Sequence, residues 1–386
     1  GVGVGVGVGD GVGDIGGGGE GGGGGGRILR AVNHPVRTSL ADYARDLESA
    51  KDLGAESVRL IEGLEAVHAD TYHLVHQLLP PALPDDAVDP PPIPTYLRRW
   101  SSADRSLAAS SFEQIRSRHA HAVETLADAV LAMRRTRSLR AGRGSDVSSS
   151  SYFCGVDLDL IDDFLRHRLG VQLLCDHYVK LDKGRENGGI SVDADLRDAV
   201  EDAVTEARHM CDANLGIAPD VRVEGGLEGC PPFEGMDEMM RTHSGSEEVR
   251  ATHVRPWLHH VLVEVLKNAA ASSVKRALAA TGASGNGASP DPSSLQIPDV
   301  HLRVLDAPSH VSLLVLDAGS GLDPDAQRRA FRFADSSSPR RWDRLEEQQS
   351  YAAVRAPLGS LGVGLPLSRL MTRMFGGDLT LSNRFG

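Results

Sequence analysis

The chain reads as an α+β protein, a helical bundle followed by an α/β sandwich in which helices cover a mixed sheet. Two observations predict this. From Leu40 to Leu181, apolar residues recur at three- and four-residue steps, interrupted by Gly, Pro and Ser clusters. Beyond about residue 184, helical spacing mixes with short stretches of alternating apolar residues. A length of 386 residues is enough for two domains with full cores. The polar, glycine-rich run Asp182 to Ile190 sets the boundary, giving a bundle over 41–183 and a second domain over 184–386.

Composition excludes some functions. A formal charge of −12 argues against nucleic acid as a general partner. No run of 18 apolar residues exists, so no helical membrane span is expected. Cys154, Cys175, Cys211 and Cys230 are far apart and lack paired metal spacing; free buried thiols in a reducing compartment fit them.

Residues 1–26 are nearly all Gly and Val, cannot form a core of their own, and read as disordered. Residues 27–40 carry Arg27, Arg30 and Arg37 and no acid. With Gly1 in place of Met, this suits either the remnant of a mitochondrial presequence or a basic leader with no address. Helical spacing covers Leu40 to Leu79, stops at the Pro-rich run 80–94, and resumes over Tyr96 to Arg105 and Phe112 to Arg135. A further amphipathic helix spans Asp157 to Leu181. In the second half, Asp193 opens a helix reaching Asn214, Asp220 to Gly225 alternates like a strand, and 226–252 is irregular. Val300 to Leu305 and Val311 to Leu316 form a hairpin about Ala307-Pro308-Ser309.

Four stretches carry candidate chemistry. Pro256 to Lys275 is a long helix with one apolar face and a second, polar stripe along which His260, Glu264 and Asn268 stack at four-residue steps. A carboxylate can take a proton from an attacking hydroxyl, and one turn on, an amide oxygen can ligate Mg2+. Next, a strand runs into Asp317-Ala-Gly-Ser-Gly321, where Gly319 and Gly321 let a ligand approach the backbone. Asp317 is able to accept a hydrogen bond from an adenine amino group. Phe331 to Leu358 lacks a core pattern and reads as a lid, with Ser336, Ser337 and several arginines in reach of phosphates. Last, Gly362 and Gly364 precede a helix beginning near Pro366, a turn that presents backbone N–H groups to an anion. Each motif alone is common; their order in one chain is what points to a nucleotide site.

That order resembles the Bergerat-type ATP-binding fold of the GHKL proteins, and within them the mitochondrial 2-oxo acid dehydrogenase kinases of the pyruvate and branched-chain types. The resemblance runs from about Leu40 to Gly386. It is carried by His260-Val-Leu-Val-Glu264-Val-Leu-Lys-Asn268, by Phe331 and Ser336-Ser-Ser-Pro-Arg340, by Leu361-Gly-Val-Gly-Leu-Pro-Leu-Ser-Arg-Leu370 and by Phe375-Gly-Gly-Asp-Leu379. Arg116-Ser-Arg-His119 and Arg168-Leu-Gly-Val-Gln-Leu-Leu174 sit where that family has bundle helices. The resemblance implies ATP and Mg2+ as cofactors, with Glu264 as base, His260 orienting it and Asn268 holding the metal. It places Lys267, Ala271, Asp317, Gly319, Gly321, Ser336, Ser337 and the run Ser360, Leu361, Gly362, Val363, Gly364 and Leu365 around the nucleotide. It further implies a serine kinase in the mitochondrial matrix, a homodimer, acting on the decarboxylase component and docking on the lipoyl-bearing component of a 2-oxo acid dehydrogenase complex.

The two subtypes divide the motifs. Arg208 to Pro219 and Val221 to Gly225 look closer to the branched-chain kinase, and His260, the Ser336 lid and Phe375 to Asp378 to the pyruvate kinase. There are departures. Ser360 stands for the first glycine of the phosphate turn, Ala271 for an arginine, and Asp317-Ala-Gly-Ser-Gly321 for DRGGG. The string that follows in the family is absent after Gly386, so the kinase domain is expected to be C-terminally truncated. A GHKL histidine kinase and a catalytically weak adaptor on the same complex are the alternatives. His119, His167 and His177 lack the following acid that a phosphoacceptor histidine usually has.

Overall fold

The structure is a computed structural model and describes residues 2–9, 59–60, 62–64, 66–67, 69–71, 74, 101–123, 125–130, 132, 158–225, 249–282, 295–307, 310–333 and 362–383. The described chain falls into two compact units. One is built from helices before residue 190, the other from Val2–Gly9 and the residues from 190 onward.

In the helical unit, α1 (Ser102–Arg118) starts at a capping box. Ser101 Oγ accepts from Asp104 N at 3.2 Å, and Asp104 returns the bond to Ser101 N at 2.9 Å. This cap explains a difference from the sequence expectation. One helix runs through 105–112, and the break falls later, at 119–121, before residues 122–123 and 125–130 turn helical again. α2 (Leu158–Asp182) lies against α1. Between them are Ala108, Phe112, Ile115, Val171, Cys175 and Val179, with Phe112 edge-on to Tyr178 at 4.8 Å. His119 is buried and its Nε2 lies 2.7 Å from Thr71 Oγ1, while Arg168 Nη2 donates to the His119 carbonyl at 2.7 Å.

The second unit is mixed α and β. β2 (Ser191–Asp195) pairs antiparallel with β4 (Arg250–His253) through an irregularity at Asp193, whose φ is +44°. Both strands depart from the sequence expectation of a helix opening at Asp193 and an irregular 226–252. Each strand is short, and its partner lies some 55 residues away, so no local pattern marks it. The helix, α3, begins only at Arg197 and ends at Leu215. β3 (Val221–Gly225) runs parallel to β5 (Val300–Ala307), which forms the expected hairpin with β6 (His310–Leu316). Residues 308–309 of its turn lie outside the described residues. On one face of this sheet Glu224 takes hydrogen bonds from His301 and Arg303 at 2.8 and 2.9 Å.

The sheet has five strands, ordered β3-β5-β6-β1-β7, where β1 is Val2–Gly9 and β7 is Asp378–Asn383. The strand at 2–9 corrects the expectation of disorder over 1–26 for those residues. β1 pairs antiparallel with β6 on one side and β7 on the other, Val4 opposite both Val315 and Leu381. A Gly-Val repeat has no core of its own, but a strand needs backbone partners, and here two sheet edges supply them.

Buried side chains of α3, α4 (Arg255–Gly282), β5 and β6 and Leu379 of β7 form the core. α5 (Pro324–Arg329) is capped by Asp323, and α6 (Gly364–Met374) packs on α4 and β7. The bidentate pair from Arg369 to Asp378, at 2.9 and 3.1 Å, ties α6 to β7, and Arg373 adds a further bond at 3.0 Å. Cys175 and Cys211 are free and buried, as the spacing suggested, and burial pushes their thiols up to about 12 and about 11. Cys154 and Cys230 lie outside the described residues.

Two outcomes follow from this architecture. A proline at Gly5 removes one donor from a ladder shared by two neighbours. Gly5→Pro should lower the melting temperature by about 2–4 °C, the effect of roughly one lost hydrogen bond. It should also speed amide exchange in β7 more than in β3. Hydrogen bonds from Arg369, ahead of those from Arg373 and the Leu379 N–H, outweigh burial and hold the Asp378 carboxyl well below the usual carboxylate range. Its stabilising contribution is therefore fully present above about pH 4 and lost as pH falls toward the folded value. Asp378→Asn should flatten that acid limb in denaturation midpoints measured against pH.

Candidate functional site

The site is organised by α4. This 28-residue helix is apolar almost all round, with Leu258, Val261, Leu262, Val263, Val265 and Leu266 buried. A helix of that kind must be covered on several sides. α3, α6 and the sheet do so. Into this setting the sequence places four polar side chains, His260, Glu264, Lys267 and Asn268.

Glu264 is 8% exposed and Lys267 4%. Three residues apart on one face, they pair directly, Lys267 Nζ donating to Glu264 Oε1. The other carboxylate oxygen, Oε2, has no hydrogen-bond partner among the described residues, nor has His260 Nε2 one turn before it. Burial holds the His260 imidazole below its ordinary pKa; the neighbouring Glu264 opposes this and Lys267 adds to it. Asn268 is half-buried. Buried polar atoms are nearly always satisfied, so the unpartnered Glu264 Oε2 and His260 Nε2, one turn apart on the same helix, stand out. Ala271 is buried with Cys211, Ala270 and Val274 in a small apolar cluster.

The later half of α4 holds the Asp317 loop. Arg276 Nη1 donates to the Ala318 carbonyl at 2.7 Å, and Ser273 Oγ accepts from Ala318 N at 3.3 Å. Asp317 Oδ1 accepts from Gly319 N at 2.7 Å, which fixes the carboxylate against its own turn. Gly319 is dictated by this packing, since a Cβ there would sit 1.8 Å from Ser272 Oγ. Gly321 follows at φ +75°.

The predicted phosphate turn opens α6, which packs on α4. Gly362, at φ +77°, takes a left-handed turn that disfavours any side chain, and the helix opens two residues on. Its N-cap, Val363, offers no side-chain acceptor, so the positive end of the helix is not closed off by its own cap. Val363 and Gly364 are buried and Leu365 packs on the core. Ser368 Oγ is buried and has no partner among the described residues.

Ser336, Ser337, Ser360 and Leu361 lie outside the described residues. The start of the lid, however, departs from the expectation that it has no core pattern. Phe333 is buried, Phe331 packs on the core, and the Arg369 guanidinium stands 4.5 Å over the Phe331 ring. Two aromatics separated by one residue are too short a signal to read as core. Trp257 packs edge-on to Phe375 at 5.8 Å. Ser273 and Arg276, which hold the Asp317 loop, were not legible as site residues. Their only signal is a place on the helix one and two turns beyond Asn268.

Fold and helix thus define a mixed α+β protein with a buried acid–lysine pair on its long helix and a second helix, packed on the first, that is opened by glycine. No family model matches the chain. Individual proteins do. A probable pyruvate dehydrogenase (acetyl-transferring) kinase, mitochondrial, of Caenorhabditis elegans is 26% identical over 275 residues, 70% of this chain and 57% of that protein. The corresponding kinase of Ascaris suum is 24% identical over 283 residues, 71% of this chain and 59% of that protein. Human isozyme 3 is 26% identical over 281 residues, 71% of this chain and 58% of that protein. The chain is a distant homologue of the mitochondrial pyruvate dehydrogenase kinases. The match spans less than two thirds of the length of these relatives.

The buried pair gives a direct test of the helix. Lys267→Met leaves the Glu264 carboxylate without its counter-charge and should lower unfolding free energy by about 3–5 kcal/mol in urea titrations. Adding Glu264→Gln to the same chain should restore much of that loss.

Proposed function

We propose that the chain is part of an ATP-dependent protein-serine kinase that phosphorylates and inactivates the decarboxylase α subunit of the pyruvate dehydrogenase complex. The observation that carries this reading is the Glu264 carboxylate. It is buried, one oxygen is held by Lys267, and the other is left without a partner among the described residues. Phosphoryl transfer needs a hydroxyl held in line and its proton accepted, with little covalent chemistry from the protein. Oε2 is the acceptor for that proton, and the Lys267 bond keeps the carboxylate pointed. His260, one turn before it, makes no hydrogen bond to this carboxylate through Nε2, and its part in the reading is to orient the carboxylate once a substrate hydroxyl lies between them.

The long buried α4, a strand ending in Asp317 and a helix opened by Gly362 support a Bergerat-type nucleotide fold for the second unit. In it Asp317 takes the adenine amino group, and the N–H groups opening α6 face the phosphates. Among the described residues no group of three His, Cys, Asp or Glu side chains would hold a metal on its own. The donor set still fits Mg2+ carried on a triphosphate, with the Asn268 amide oxygen as one ligand, because Mg2+ keeps waters and phosphate oxygens around it. Bound Mg2+-ATP supplies the phosphoryl group and neutralises its charge.

Pyruvate is favoured over branched-chain substrate because the named relatives are pyruvate dehydrogenase kinases. Their mitochondrial designation supports the matrix as the location. By the same relationship the helical unit docks on the lipoyl-bearing component, and the active protein is a homodimer. A histidine-kinase reading is weakened by His119, which is buried against Thr71.

Phosphate transfer from labelled ATP to the purified decarboxylase component tests the reading. Acid-stable phosphoserine is expected, falling about 100-fold or more in Glu264→Gln while ATP binding persists. Acid-labile label on the chain itself would favour the histidine kinase. Lipoyl-domain binding without any label would leave an adaptor.

A further inference from the structure

The loop that carries Asp317 is held from two directions. α4 grips it near its start, through Arg276 and Ser273. The second grip comes from a different element, at the end of β7. Asn383 Oδ1 accepts from Leu322 N at 3.1 Å, and Asn383 Nδ2 donates to the carbonyl of the same residue. This is a reciprocal, two-bond clamp by one side-chain amide on the N–H and C=O of one residue, the pattern that two paired residues make in an antiparallel ladder. Gly321 lies directly beside it, and a Cβ there would come within 3.2 Å of Asn383 Oδ1. Gln327 Nε2 reinforces the seam by donating to the Leu381 carbonyl at 2.6 Å.

We propose that Asn383 is a positioning residue for nucleotide recognition: by clamping Leu322 it holds the Asp317 carboxylate at the height where it meets the base. The inference rests on the nucleotide-binding reading given above. Asn383 makes no contact with the base itself. Its effect passes through the backbone between residues 317 and 322, which only a side chain with both a donor and an acceptor can pin from this side. Asn supplies that pair with one rotatable bond fewer than Gln, so less freedom is lost in making it. The sequence gives no hint of the role, because Asn383 is 66 residues from Asp317.

The test compares dissociation constants of the full chain for ATP and for purine riboside triphosphate, which lacks the 6-amino group that Asp317 would recognise. The wild type should prefer ATP by about tenfold, the value of one hydrogen bond to a charged acceptor. Asn383→Ala should bring the two within about twofold and leave the analogue bound as in the wild type. Asn383→Asp keeps the acceptor and loses the donor, and should fall between them; it decides the matter if Asn383→Ala does not fold. Equal losses for both ligands would mean a merely structural role and would overturn the proposal. So would a discrimination ratio unchanged by either variant. A wild-type chain that binds neither ligand, or binds both alike, would instead remove the reading on which the proposal rests.

Discussion

The burial of α4 on several sides is the constraint on which the second unit depends. Between Trp257 and Val274 no residue is exposed, so α3, α6 and the sheet must all reach this stretch. Each fully buried Val or Leu contributes on the order of 1.5–3 kcal/mol. The polar groups on the same helix are therefore held in a low-dielectric setting, where an unpaired carboxylate would be strongly disfavoured. Lys267 resolves that conflict for one oxygen of Glu264 and leaves the other without a partner among the described residues. The same helix, two turns on, fixes the Asp317 loop by direct hydrogen bonds. A single rigid element thus sets the relation between the acid and the loop.

Further contacts hold two of the partners of α4, α6 and the sheet, in place. α6 is fastened to β7 by the Arg369–Asp378 fork, and Phe331 is held under the same arginine. β7 in turn reaches β6 only through β1, a strand of glycine and valine drawn from the other end of the chain. Exposed ion pairs elsewhere, such as Arg255 with Asp202, contribute little by comparison, being solvated and screened. What matters is the small set of charged groups that are partly buried and held by two bonds.

Much of this was legible in the sequence where the signal is local. The long helix from Arg255, the hairpin of Val300–Ala307 with His310–Leu316, the strand Val221–Gly225 and the helix Leu158–Asp182 follow from period and punctuation alone. So did the stacking of His260, Glu264 and Asn268. The misses share one cause. β2 and β4 are each five residues or fewer and exist because of each other. β1 was read as disordered because composition reports a segment's own capacity for a core, and a strand can borrow one. Likewise the Ser101 cap moved a helix break from 105–112 to 119–121.

By itself the sequence determined the residue types and their spacing: an acid, a lysine and an amide within one and a quarter turns, and glycines where the backbone must turn left or approach closely. Those are properties of a chain and its dihedral angles, and they hold whatever surrounds them. Only the tertiary structure decided that Lys267 neutralises Glu264 inside a dry helix packing and that Arg276, Ser273 and Asn383 converge on one loop. It also decided that the amino-terminal repeat enters the sheet. Hydrogen bonds and burial depend on distance in space, and residues 66 or 300 apart in sequence carry no local mark of their meeting.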